Sequence, residues 1–124
     1  MREFEGIYTQ KERAALIKKE LTRLNRSLKD LDEVKQSTLK KLFNEAAFMG
    51  VTLEETRLII IRDGIIEKYQ NGANQWGIKK SSAVEVYDRM VNTYTKVLEQ
   101  INKAMPDDKN VDAGEELLKF ALKK

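Results

Sequence analysis

The side chains best placed to do chemistry in this 124-residue chain are three carboxylate pairs, Glu54-Glu55, Asp107-Asp108 and Glu115-Glu116. Histidine and cysteine are both absent. That removes Ser–His and Cys–His catalysis, zinc fingers, haem held by His or Cys, and any disulfide framework. A metal site could use only carboxylates, carbonyls and water, which suits magnesium or calcium. Each pair also has a structural account. Glu54-Glu55 and Glu115-Glu116 fall where a helix should begin, and negative charge there favours the helix dipole. Asp107-Asp108 falls in an expected linker. The expected set of catalytic and metal residues is therefore empty, and no cofactor is expected. Gly72 and Gly77 make no phosphate-binding loop, because no GxxxxGK[ST] pattern accompanies them.

The cations are the second chemical resource. Lys18, Lys19, Arg23, Arg26 and Lys29 follow one another at the N-terminal end, and Lys79 and Lys80 come shortly after Trp76. Through residue 49 there are 11 Lys/Arg against 8 Asp/Glu, whereas residues 81–124 carry 7 against 8. A basic stripe of this kind could neutralise phosphates, with affinity that falls as salt rises. The competing reading is the solvated face of a charged helix. Tyr69 and Trp76 could stack on bases, although cover for a helical core is the commoner use and the one expected here.

Such residues need elements to hold them. Hydrophobic residues make up 41% and charged residues 35% of the chain, with a formal net charge of +3. This size allows one domain, 1–124, with a modest core. The apolar run Leu58-Ile59-Ile60-Ile61 is far shorter than the roughly 20 residues that span a bilayer. The first residues lack the apolar stretch of a signal peptide, so a soluble intracellular protein is expected.

Thr9-Gln10-Lys11-Glu12 is a capping-box pattern. After it, Ile17, Leu21, Leu24, Leu28 and Leu31 are spaced as the a/d seam of a heptad, predicting a helix over about 10–34. A second helix is expected from about Ser37 to Met49, closed by Gly50. A third should open at Thr52 with Glu55 completing a capping box, and stop near Asp63-Gly64. Residues about 65–79 should form a β-hairpin around Asn71-Gly72. Since a lone hairpin is marginal in water, it should lie on the helices or on another subunit. Ser81 or Ser82 then caps a long helix whose seam is Tyr87, Val91, Tyr94, Leu98 and Ile101, ended by Pro106. A linker at 106–111 and a last amphipathic helix at about 113–122 complete the chain. The expected fold class is mainly α: two long heptad-patterned helices plus shorter helices, with a small inserted hairpin. The seams could pair helices inside one chain or between subunits, and the intersubunit use is the sharper expectation.

From Asp63 to Leu98 the sequence resembles small terminase subunits of tailed bacteriophages of Gram-positive hosts. The run Asp63-Gly64-Ile65-Ile66-Glu67-Lys68-Tyr69-Gln70-Asn71-Gly72 leads to Gly77-Ile78-Lys79-Lys80-Ser81-Ser82-Ala83, and a long helix with Tyr87 and Tyr94 follows. That group has a Tyr-x-Asn-Gly segment after a helix, then a Gly-x-Lys-x-Ser/Asn stretch and a long helix. The match covers roughly a third of the chain. Tyr69, Asn71, Gly72, Gly77, Lys79 and Ser81 fit the pattern; none corresponds to a catalytic residue. The resemblance implies a non-enzymatic, cofactor-free DNA-packaging subunit in the cytoplasm of a bacterial host. Its implied partners are double-stranded viral DNA, further copies of itself, commonly in a ring, and a large terminase subunit that carries the ATPase and nuclease. Many members carry a helix-turn-helix near the N-terminus, and none is legible here. The expected DNA contacts are therefore the basic residues named above. The alternative is a helical protein–protein adaptor or assembly protein of phage or mobile-element origin.

Overall fold

Thr9 is where the chain turns helical. Its hydroxyl accepts the Glu12 N–H at 3.0 Å, and the Glu12 carboxylate accepts the Thr9 N–H at 2.8 Å, so the expected capping box is complete. Helix α1 then runs Gln10–Asn25. The computed structural model describes residues 6–106. The expected linker beyond Pro106, the helix at 113–122 and the pairs Asp107-Asp108 and Glu115-Glu116 lie outside these residues.

The helix expected to reach residue 34 stops at Asn25 and continues only as a 3-10 turn, Arg26–Leu28. Asp30 then adopts φ +83°, a left-handed conformation that aspartate tolerates better than most residues. The Asp32 carboxylate accepts the Lys35 N–H at 2.8 Å and starts a new helix. The Gln36 amide donates to the Leu28 and Leu31 carbonyls at 3.0 and 2.8 Å, satisfying acceptors that the broken helix leaves behind. The heptad spacing survives the break because Leu24, Leu28 and Leu31 still face the same core from helix and turn alike.

Helix α2 spans Glu33–Asp63 without interruption, in place of the two helices expected on either side of Gly50. Gly50 is a buried interior residue, and Met49, Val51 and Leu53 around it are buried too. Glycine costs a helix about 1 kcal/mol relative to alanine; burial of these neighbours outweighs that. Thr52 caps nothing, and its carbonyl accepts the Thr56 hydroxyl at 2.6 Å. The helix ends at Gly64, whose φ of +91° is open only to glycine at low cost.

Strands β1 (Ile66–Gln70) and β2 (Trp76–Lys80) form an antiparallel ladder with Ile66 opposite Lys80 and Gln70 opposite Trp76. The connection is Asn71 to Gln75, longer than a two-residue Asn-Gly turn, with the Asn71 N–H donating to the Gln75 carbonyl at 2.7 Å and Gly72 at φ +107°. Helix α3 (Ser82–Ala104) starts at the expected cap: the Ser81 hydroxyl accepts the Val84 N–H at 3.2 Å. Pro106 follows its end.

The fold is mainly α, three helices with the hairpin inserted before the last. α2 makes the main helix–helix contacts, packing against both α1 and α3. Its residues Leu39, Phe43, Ala46, Met49 and Leu53 recur every three or four positions and form the middle of the core. Leu24 and Leu28 join the core from α1 and the turn after it, and Tyr94, Ile101 and Met105 from α3 and its end. Leu21, Leu31, Tyr87, Val91 and Leu98 pack around this cluster, and Ile17 is half-buried on α1. Within one chain, then, the seam residues Leu24, Leu28, Tyr94 and Ile101 are part of a shared core.

Candidate nucleic-acid interface

The break between α1 and α2 has a chemical consequence, because it folds two runs of cations onto one corner. Arg26 and Lys29 come from the turn, and Lys40 comes from the second turn of α2. With Asn25, Leu28 and Gln36 they line an open cleft of about 590 Å³. Among the described residues no carboxylate lines it. Gln36 is already committed to the turn carbonyls, so its role is to hold the shape of the corner. The cations supply the charge. Lys40 was missed as a candidate because it lies next to Arg26 and Lys29 only once the chain reverses at Asp30.

The other basic candidates differ in their surroundings. Lys18 and Lys19 are exposed on α1. Arg23 is half-buried and engaged with Glu20: its Nε donates to Oε1 at 3.0 Å, and its Nη2 donates to Oε2. Glu20 is buried, so Arg23 is needed where it is. The pair also acts on Tyr94 of α3. Burial pushes the Tyr94 hydroxyl pKa well above its ordinary value, and the Glu20 carboxylate pushes it further. Arg23 is thus an internal ion-pair residue, set apart from its exposed neighbours.

Lys79 pairs with Glu67 at 3.5 Å across the ladder, and Lys80 pairs with Asp88 of α3 at 3.4 Å. Both pairs are exposed, and such pairs contribute little, about 0–1 kcal/mol. The ladder register puts Tyr69 opposite Gly77 and Trp76 opposite Gln70, so the two aromatics face opposite sides of the hairpin. Tyr69 lies over Gly77, where an added Cβ would stand 2.6 Å from the ring. Trp76 and Tyr69, both expected to cover a helical core, are instead 66% and 44% exposed. The hairpin joins the helices mainly at its base, where the Ser81 N–H donates to the Ile65 carbonyl at 2.9 Å.

The carboxylates resolve differently from expectation. Glu54 and Glu55 lie in the interior of α2, away from any helix start. Glu54 accepts the Tyr8 hydroxyl at 3.1 Å. Glu55 is buried and accepts from Arg13 Nε at 2.7 Å, Arg13 Nη2 at 2.8 Å, and the N–H groups of Ile7 and Tyr8 at 2.9 and 3.1 Å. The Arg13 guanidinium holds the Glu55 carboxyl below the usual range; burial opposes this, and the two backbone donors reinforce it. Its oxygens are spent on anchoring the N-terminal segment. Among the described residues no three acidic side chains are grouped so as to hold a metal ion. Among the same residues no helix is long and apolar enough to cross a membrane. No family model matches this chain, and no curated protein or solved structure matches it.

Proposed function

We propose that the chain is a small-terminase-like subunit of phage DNA packaging. In this reading it binds double-stranded viral DNA, associates with copies of itself in the bacterial cytoplasm, and presents the DNA to a large subunit that carries the ATPase and nuclease. It acts without a cofactor and leaves catalysis to that partner. The observation that carries DNA binding is the corner cleft, where Arg26, Lys29 and Lys40 surround a space that no carboxylate lines among the described residues. Phosphate contacts of this kind position a protein on a duplex without reading its sequence. The resemblance over Asp63 to Leu98, on which the packaging role rests, falls on the end of α2, the hairpin and most of α3.

The test is binding to double-stranded DNA by fluorescence anisotropy over a salt series. Affinity should fall steeply between about 50 and 200 mM salt. The triple variant Arg26→Ala, Lys29→Ala, Lys40→Ala should bind more weakly with unchanged helix content. Absence of binding at about 50 mM salt sinks the DNA role. The second reading, a protein–protein adaptor or assembly protein, is favoured by the exposed apolar residues of the hairpin. Absolute mass in solution separates the two further: a multimer well above a dimer supports the packaging role, and a monomer supports the adaptor.

A further inference from the structure

The β1–β2 ladder has two unlike faces. Glu67, Tyr69, Gly77 and Lys79 alternate onto one; there Glu67 pairs with Lys79 and the Tyr69 ring covers Gly77. Ile66, Lys68, Gln70, Trp76, Ile78 and Lys80 alternate onto the other. On that second face Ile66, Trp76 and Ile78 are 55%, 66% and 63% exposed. Side chains of this size leave an apolar area on the order of a few hundred Å² in water, the scale of patches that mark interaction sites. Its charges are all positive: Lys80 is shared with Asp88, and Lys68 makes no ion pair among the described residues. The face is therefore an apolar stripe with a basic rim.

We infer that this face docks the acidic, apolar-rich stretch 107–122 of a second copy of the chain. Charge decides between candidate occupants. A second copy of the same face would set Lys68 and Lys80 against their own kind, which costs affinity. Nucleic acid would satisfy the lysines and leave Ile66 and Ile78 against phosphate. Residues 107–116 carry Asp107, Asp108, Asp112, Glu115 and Glu116 against Lys109, and the apolar Leu117, Leu118, Phe120 and Leu122 follow, with Lys119 among them and Lys123 and Lys124 after them. This stretch complements both the stripe and its rim.

Reach decides between the same chain and another. α3 starts beside the hairpin and carries the chain away for 23 residues, about 34 Å. Eleven residue steps separate Pro106 from Leu117, at most about 40 Å when fully extended. Return within one chain would need nearly every step stretched straight. Two copies with their α3 helices antiparallel bring residue 106 of each beside the other's hairpin, and a two-fold arrangement covers both faces at once.

Trp76 is the only tryptophan, so its emission reports on this face directly. With full-length protein and no nucleic acid, Trp76 emission should move to shorter wavelength as concentration rises, in step with self-association by sedimentation equilibrium. The full-length variant Leu117→Ser, Phe120→Ser should weaken that association at least about tenfold. Glu115→Gln, Glu116→Gln should weaken it less and flatten its salt dependence. Circular dichroism of each variant confirms that the helices are intact. Three outcomes overturn the inference: a concentration-independent blue emission, which assigns the stretch to its own chain; association of unchanged strength in Leu117→Ser, Phe120→Ser; and a monomer with water-exposed Trp76 at every concentration. The Arg26, Lys29 and Lys40 variant should associate normally, which separates this inference from the DNA reading.

Discussion

Arg13 of α1 grips Glu55 in the middle of α2 through two hydrogen bonds of 2.7 and 2.8 Å, forty-two residues apart in the chain. The same guanidinium donates to the Tyr8 carbonyl at 3.0 Å, and Glu55 receives the Ile7 and Tyr8 N–H groups. One buried carboxylate thus fixes both the start of α1 and the segment before it. Glu55→Gln removes the charge from four hydrogen bonds and should cost about 1–2 kcal/mol, read by urea denaturation.

The same contact makes a pH prediction. The folded carboxyl sits below its ordinary range, so the unfolded chain takes up the Glu55 proton more readily than the folded one. The stabilisation is complete above the unfolded value of about 4.3 and drains away as pH falls through the lower folded value. Wild-type stability should decline below about pH 4.5, and Glu55→Gln should lose part of that slope. Equal acid slopes in the two proteins would contradict the assignment.

Gly77→Ala should loosen the hairpin. A Cβ there would stand 2.6 Å from the Tyr69 ring, so the ring must leave its place. The expected cost is about 1–3 kcal/mol, seen as faster amide exchange in β1 and β2 with α2 unaffected. Adding Tyr69→Ser should return most of the protection.

Ile101→Ala should be the more damaging kind of change, since Ile101 is wholly buried where α3 meets the core. A loss of about 2–5 kcal/mol is expected in thermal or urea unfolding. Val86→Ala, on an exposed position of the same helix, should change stability by less than about 0.5 kcal/mol.

Arg23 and Arg26 are three residues apart and should behave oppositely. Arg23→Ala leaves the buried Glu20 carboxylate without its guanidinium and should lower stability by about 1–3 kcal/mol. Arg26→Ala should leave the melting curve almost unchanged and reduce the salt slope of DNA binding by about one. Unfolding curves and binding isotherms on the same two variants check both halves.

The elements most legible in the sequence were those with a local chemical signature. Thr9 with Glu12 and Ser81 before Val84 placed two helix starts, and Asn71-Gly72 placed the hairpin. The break after Asn25 was hidden because Leu24, Leu28 and Leu31 keep heptad spacing through a turn that faces the same core. Gly50 misled in the other direction: its stop signal is local, whereas the burial of Met49, Val51 and Leu53 that overrides it depends on distant partners. Lys40 and Glu55 share that cause. The one gains meaning from the reversal at Asp30, and the other from Arg13, so neither role is written in nearby spacing.

The unbroken run of α2 acts as a spacer. Lys40, at the corner cleft, and Gly64, at the root of the hairpin, are separated by 24 helical steps, about 36 Å of rigid rod. That is several times the screening length of about 8 Å at physiological ionic strength. Charge at the corner cleft is therefore screened from charge at the root of the hairpin.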